Sequence, residues 1–339
     1  MATIDITDAK ELTLAVNNNL APKRFLASFF QKLTHNTKDV MIDFVEGSQE
    51  LAPFIRDGEA ATVSARKGYN TRTIHCYDIC LKRRTNAFDA LKRLPGEAPI
   101  VDSAMSPTER AAELAGRDLF EMQGRANRTI EKMISDGIFN GSISITDAAG
   151  NTIDSINFGK KQSHSLSKTW STSGYKKIVS DIEDAAILVA QDSGLTATDV
   201  ILGSTAAKTA LENDFFLKQL DTKDLTIGSL KSTMELQNRG ARLIGTLSGM
   251  RVWRYDEIYK SGNNAIGIVP ASGVVVLSAD LQATLHYGVA GDIKNGFTEG
   301  EFAADAYYEN DPAAQWLRLR TAPLPVIEQI DGLATITVS

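Results

Sequence analysis

The stretch 106–137 constrains the fold most, because it reads as one uninterrupted helix. Ser106-Pro107-Thr108-Glu109 is a capping box, with proline at the first helical position, where an N–H would have no helical partner. Leu114, Leu119, Met122, Ala126, Ile130, Met133 and Ile134 then recur mostly at steps of three and four. Gly137 supplies a C-terminal stop. About 32 residues at ~1.5 Å each make a rod of roughly 48 Å, against an average helix of ~11–12 residues. Its apolar stripe is narrow, and Arg110, Arg117, Arg125, Arg128 and Lys132 take the other faces. A rod of this kind suits a spine laid across a sheet better than a buried core helix.

Ahead of the rod the chain has little core of its own. Residues 1–45 read as an arm: an acidic, Asn-rich start, the apolar cluster Phe25, Leu26, Phe29 and Phe30, which must bury against something, and a short strand over 41–45. Residues 46–105 hold few large apolar groups in any helical or strand period. Within them, 66–93 carries Arg66, Lys67, Arg72, Lys82, Arg83, Arg84, Lys92 and Arg93 against Asp78 and Asp89, a net +6. Residues 71–77 alternate weakly, as one strand of an exposed two-stranded ribbon would. A coreless section this long is functional, disordered, or lies on another subunit. Its charge has a counterpart in 299–311, where Glu299, Glu301, Asp305, Glu309 and Asp311 stand without a base. Two readings stay open: two solvated faces, or a loop of one subunit lying over a neighbour's acidic segment and fixing register.

Beyond the rod, 142–146 and 152–158 form a hairpin around Asp147 to Asn151, and the polar stretch 160–174 marks a boundary. Residues 175–300 read as an α/β region: a helix through Ile178, Ile182, Ala185 and Val189, a strand at 199–203, a helix over 205–212, strands around Leu247-Ser248-Gly249, and a strand at 273–277. The chain ends on Trp316, Leu317 and Leu319, then Ala322-Pro323-Leu324-Pro325, then the alternating run 333–338. A terminus that is a strand is tied into a sheet. The end of the chain is expected to close a sheet begun much earlier.

Chemistry is hard to find. Gly203-Ser204-Thr205-Ala206-Ala207-Lys208-Thr209 follows a strand, but Gly203 is one residue too close for a phosphate loop and Ala207 stands where the second glycine belongs; Ser204 reads as the N-cap of an ordinary helix. Asp181, Glu183 and Asp184 fall mainly on a solvated helix face. Cys76 and Cys80 are spaced C-x3-C, with no second pair to complete a zinc site, and His35, His75, His164 and His286 are scattered. Free thiols, no catalytic set, no metal site and no cofactor are the expectations. The net charge of −6 argues against a dedicated nucleic-acid binder. The longest apolar stretch, 265–279, is broken by Pro270 and Gly273 and is too short for a bilayer.

With these elements in order, the chain resembles the major capsid proteins of tailed phages, of Hong Kong 97 fold type, and within them the lambda-like capsid protein E family. The resemblance is carried by Phe25, Phe29 and Phe30, by the loop entry Leu51-Ala52-Pro53-Phe54-Ile55 with Gly58, by the rod, and by Asp311-Pro312 and Thr321 to Pro325 in the tail. It departs at 75–80, which lacks the prolines common at the loop's exit. The resemblance implies an α+β fold: an N-terminal arm (1–45), an extended β-loop (46–105), a peripheral domain (106–172 and 301–339) with the spine helix 106–137, and an axial α/β domain (173–300); the terminal strand would then pair with the 142–158 hairpin and make the peripheral domain discontinuous. It implies a structural role, not an enzyme. Copies would assemble in the host cytoplasm into hexamers and pentamers of an icosahedral virion head, by way of a procapsid that expands. The shell would enclose double-stranded DNA without sequence-specific binding. Scaffold and portal proteins, and possible decoration proteins, are the implied partners, and no membrane is involved. Inter-subunit contacts are expected at the arm phenylalanines, the eight basic residues of 66–93, and Glu299, Glu301, Asp305 and Glu309. An encapsulin-like cargo shell shares the fold, and a soluble α/β enzyme is the more distant alternative.

Overall fold

A computed structural model describes residues 12–13, 24–45, 69–86, 107–147, 149–171, 177–220, 240–292, 296–310 and 313–339. A 3-10 turn at Leu26–Phe29 leads into β1 (Gln31–Thr34), β2 (Asp39–Val45), β3 (Tyr69–His75) and β4 (Ile79–Asn86). The spine α1 (Pro107–Asn140) and the hairpin β5 (Ser142–Thr146) and β6 (Thr152–Asn157) follow. Then come β7 (Ser165–Lys168), α2 (Ile178–Ser193), β8 (Asp199–Leu202), α3 (Ser204–Leu211), α4 (Asp214–Gln219), β9 (Ala241–Leu247) and β10 (Met250–Tyr255). The remainder is all strand: β11 (Ile258–Ser261), β12 (Asn264–Gly267), β13 (Gly273–Leu277), β14 (Ala283–Tyr287), β15 (Ala290–Asp292), β16 (Gly296–Thr298), β17 (Ala303–Asn310), β18 (Ala313–Thr321), β19 (Pro323–Ile327) and β20 (Leu333–Val338).

The spine runs 34 residues, three beyond the expected stop. Gly137 stays inside it, because the hairpin packs close: a Cβ there would meet the Phe158 ring at 3.1 Å. The end falls at Gly141, whose φ of +68° suits glycine and whose amide bonds to the Gly137 carbonyl. Its Ser106 cap lies outside the described residues. The two halves of the rod serve different cores. Leu119, Met122 and Ala126 pack with Phe302, Leu317 and Leu319. Ile130, Ile134 and Ile138 join the arm residues Phe25, Leu26 and Phe30, the hairpin, Trp253, Tyr255 and Leu324 in one larger core.

A six-stranded sheet in the order β7-β20-β13-β8-β10-β9 divides that core from a third. On the far face, Ile182, Ala185 and Val189 of α2 and the alanines of α3 pack on Val200, Val252, Val274, Val276 and Ile336. A sheet covered on both faces needs strands apolar on both sides, and β8 and β13 are buried at every position. Six smaller sheets accompany it among the described residues: the three-stranded β1-β14-β19 and β17-β18-β4, and the two-stranded β2-β3, β5-β6, β11-β12 and β15-β16.

The terminal strand corrects one expectation. It does not pair with the 142–158 hairpin, which stays two-stranded. Instead β20 inserts between β13, antiparallel, and β7, parallel. The reason is in its side chains. Leu333 enters the spine-side core, while Ala334, Ile336 and Val338 enter the α2-side core, and a two-stranded hairpin offers no second covered face. Pro323 to Ile327 pairs with β14, and β17 and β18 lie with β4.

A chain ending at Gly332 should therefore lose an interior strand of the six-stranded sheet. At about 1.5–3 kcal/mol for each large buried aliphatic, the loss of Leu333, Ile336 and Val338 rivals a typical stability of roughly 5–15 kcal/mol. Thermal unfolding and near-ultraviolet circular dichroism should show no cooperative native state. A truncated chain melting within a few degrees of the full one would refute the placement.

Candidate functional site

Two places gather the residues marked out in the sequence: the face of the β17-β18-β4 sheet and the junction of arm and spine. In β4, alternation turns Ile79, Leu81 and Arg83 inward and leaves Cys80, Lys82, Arg84 and Asn86 exposed. Lys82 stands opposite Arg318 and Arg84 opposite Trp316, while on the other side of β18 Trp316 faces Tyr307 and Arg318 faces Asp305. The Trp316 and Tyr307 rings stack at 6.3 Å. The Lys82 ammonium lies 4.8 Å from the Trp316 ring centre and the Arg84 guanidinium 5.8 Å from it. Trp316 donates its indole N–H to Glu309 at 2.8 Å, and Arg318 donates Nε–H to Asp305 at 2.8 Å. The result is a ladder of aromatic rings and cations on one face of the sheet. The basic and acidic runs thus share one sheet of one chain, with β18 between them.

Arg83 points the other way. It donates to Asp118 at 2.5 Å and Glu121 at 2.8 Å on the spine, so it clamps β4 onto α1. These hydrogen bonds, with Glu121 first, push its pKa further up and hold Glu121 below the usual carboxylate range. Arg72 donates to the Asn157 carbonyl of the hairpin at 3.2 Å. Glu299 is exposed. Arg66, Lys67, Lys92, Arg93 and Asp311 lie outside the described residues.

The described arm residues around Phe25 are embedded in their own chain. Phe25 is fully buried between Trp253 and Tyr255, with ring centres at 5.3 and 5.4 Å, and Phe30 is buried beside it; Phe29 keeps partial exposure. The large rings leave water by packing against the spine-side core, which removes Phe25 and Phe30 from the outer surface. Arg24 binds Glu301 at 2.7 Å, and Lys32 pairs with the same carboxylate. Burial pushes Glu301 up, but the two cations outweigh it and leave its pKa lowered.

Beneath this lies Glu131, fully buried on α1. Its carboxylate accepts the amides of Leu26 and Ala27 at 3.0 and 2.9 Å and the Tyr255 hydroxyl at 3.0 Å. The two amides begin the one-turn helix of the arm, where no helical partner exists, so the carboxylate caps it. Burial pushes Glu131 up to about 7, against the lowering pull of these three bonds and of Arg24. Nothing in its spacing marks Glu131 among the spine's other charged residues; a polar residue on the apolar stripe, one position after Ile130, is the only hint.

The other sequence features resolve as structure. Gly203 lies against the Pro270 carbonyl, where a Cβ would stand 2.1 Å away. Gly203, not Ser204, is the N-cap, and the amides of Thr205 and Ala206 are taken by the Ala271 carbonyl, so no phosphate can use them. Asp181 is buried rather than solvated, held by Lys168 at 3.1 Å and the Trp170 indole at 3.1 Å. His75 turns to Asp39 at 2.7 Å, and Cys76 is buried, with its thiol pushed up to about 11 by burial. Cys76 and Cys80 are free. Among the described residues no helix is long and apolar enough to cross a membrane. One cluster had no sequence signal: His164, Asp192 and Asp331 converge from three distant segments.

The profile of the family described as phage major capsid protein E matches residues 8–338. The major capsid protein of Enterobacteria phage P21 is 21% identical over 327 residues, covering 93% of each chain. The P21 prophage-derived major head protein of Escherichia coli O6:H1 strain CFT073 matches to the same extent. Among solved structures, a capsid protein assigned to a prophage of E. coli CFT073 superposes with a TM-score of 0.77 at 16% identity, covering 98% of this chain and 99% of that one. The mature capsid of bacteriophage PhiM1 gives 0.52 at 11% identity, over 95% of this chain and 89% of that one. At such identities the structures speak for the fold alone.

The Glu131 junction makes a pH prediction. Its folded pKa of about 7 lies above the unfolded value of about 4.3, so the folded chain holds this proton more tightly. That contribution is complete below about pH 4 and fades as pH rises through 7, on the order of a few kcal/mol in all. Melting temperature should therefore fall between pH 5 and 8 more steeply in the wild type than in Glu131→Gln. Parallel pH profiles for the two proteins would show that Glu131 does not titrate there.

Proposed function

Since the chain belongs to the phage major capsid protein E family, it is a structural subunit of a phage head and not an enzyme, and we propose that it closes that head as hexamers and pentamers of an icosahedral shell. The shell encloses double-stranded DNA and forms first as a procapsid that expands. Scaffold and portal proteins are its partners in assembly, with a decoration protein as a further one. The chain divides into an arm (1–45), a loop (46–105), a peripheral part built on the spine, and an axial part built on the six-stranded sheet. The terminal strand belongs to the axial part.

One observation carries this reading furthest. The N-terminal half of a 34-residue rod is covered on one side by a thin sheet whose outer face keeps cations and aromatic rings in place. Tryptophan, tyrosine and arginine on a rigid, half-solvated face are the groups that dominate contacts between proteins. Shell closure adds many such contacts in closed symmetry, so each can be weak. The charge balance also fits: at net −6 the subunit does not grip packaged DNA as a strongly basic lining would.

The test is the exposed cation pair. Arg83 is unsuitable, because its reversal would detach β4 from the spine. Lys82→Glu with Arg84→Glu reverses two exposed side chains and leaves the Arg83 clamp in place. Sedimentation and negative-stain imaging of the full chain, expressed with its scaffold, should show shells for the wild type. The double variant should give mainly unassembled subunits, with a melting temperature within a few degrees of wild type. Normal particles from the variant would overturn the role of this face. Failure of the wild type to form shells would overturn the assembly reading itself.

A further inference from the structure

We propose that His164, Asp192 and Asp331 form a binding site for a divalent transition-metal ion of the Zn2+ class, which staples the last strand of the chain into the axial sheet. The three come from separate elements. His164 ends the 3-10 turn Gln162–His164 before β7, Asp192 lies in the last turn of α2, and Asp331 sits in the 3-10 turn Ile330–Gly332 that leads into β20. One ligand atom from each falls within 4.8 Å of the other two.

The hydrogen bonds of His164 fix its tautomer. Its Nδ1 lies 2.8 Å from the Leu333 carbonyl oxygen, which can only accept, so Nδ1 carries a hydrogen. In the neutral ring Nε2 is then a bare lone pair. Yet Nε2 faces an Asp192 carboxylate oxygen at 2.9 Å and an Asp331 oxygen at 4.0 Å. A lone pair facing carboxylate oxygens is repulsive unless a proton or a cation stands between them. A second proton on the ring would satisfy Asp192 alone. It would leave Asp331 Oδ1 as it stands, buried and without a hydrogen-bond partner, on a residue only 8% exposed. A metal ion takes all three. Tetrahedral zinc with bonds of about 2.0 Å sets its ligands roughly 3.3 Å apart, so closure asks for shifts of about an ångström in two carboxylates. An imidazole whose second nitrogen donates to a backbone carbonyl is the usual oriented form of a metal-binding histidine.

Lys161 is the competitor. Its ammonium lies 2.9 Å from Asp331 and 3.4 Å from Asp192, but its side chain is half exposed and can swing into water. Metal would replace it. The ion would then join the turn entering β20 to α2 and to the segment entering β7, the strand β20 pairs with in parallel.

The experiment is titration of Zn2+ alone into metal-stripped full-length protein by calorimetry, with thermal unfolding alongside. One equivalent per subunit is expected, together with a rise in melting temperature. Asp331→Asn should weaken binding at least tenfold, and Lys161→Met should tighten it severalfold by removing the competing ammonium. Absence of binding in both wild type and Lys161→Met, or unchanged affinity in Asp331→Asn, would overturn the site. Should Asp331→Asn fail to fold, X-ray absorption of the zinc-loaded wild type decides: imidazole with oxygen ligands supports the site, and sulfur or two imidazoles, from Cys76 and Cys80 or from His35 and His286, refutes it.

Discussion

The Glu131 carboxylate, out of reach of water, holds together three parts of the chain that no sheet joins directly. It belongs to the spine, it caps the arm's single helical turn, and it takes the hydroxyl of Tyr255 from β10 of the six-stranded sheet. An uncompensated buried carboxylate is strongly unfavourable, so its position dictates where its donors must be. Arm, spine and sheet can approach only in the arrangement that supplies them. The surrounding phenylalanine, tryptophan and isoleucine side chains provide most of the attraction, but apolar contact is not directional. The directional part of the junction is the carboxylate. Burial pushes the group up to about 7 against the pull of its donors, so a modest change of pH acts on the relation between the spine and the six-stranded sheet.

The return of the chain works in the same direction. Lys160, just after the hairpin, donates to the carbonyls of Ile138 and Phe139 at the end of the spine and to the Thr335 hydroxyl of β20. Those carbonyls carry the negative end of the helix dipole and have no helical partners. The ammonium satisfies them while fixing the last strand to the rod. Burial lowers its pKa to about 8. The C-terminus is thereby tied to the spine by Lys160 and to the segment before β7 by His164, although its hydrogen-bond ladder belongs to the axial sheet.

Much of this was legible in sequence, and the limits have physical causes. The rod, the hairpin, α2, β8, α3 and the strands around Gly249 lie where periodicity and turn residues put them, because those signals are local. Gly137 misled as a helix stop because its reason for being glycine is the ring of Phe158, a contact across 21 residues. The partner of β20 misled for a related reason. Alternation in LATITV shows a strand, but only the apolar character of both its faces, completed by two separate cores, shows that it is an interior one. Glu131 reads in sequence as one more charge on a charged helix. The His164, Asp192 and Asp331 cluster has no spacing at all. In each case the missing information is tertiary.

The charge runs show how far composition alone can carry an argument about assembly. As segments, 66–93 and 299–311 are opposite and complementary. In the folded chain Arg83 belongs to Asp118 and Glu121, Glu301 to Arg24 and Lys32, and Asp305 to Arg318. Those pairs are spent within the subunit, and a neighbour could engage them only by breaking them. The alternate set of β4 side chains, Lys82 and Arg84, stays exposed and lies over Trp316. A face of that kind binds through ring and guanidinium surface as much as through charge. Salt should therefore weaken it less than it would weaken a contact between two charged segments, since screening acts on the electrostatic part alone. The strand period of two, which sorts Arg83 from its neighbours, converts one basic run into an internal clamp and an external surface.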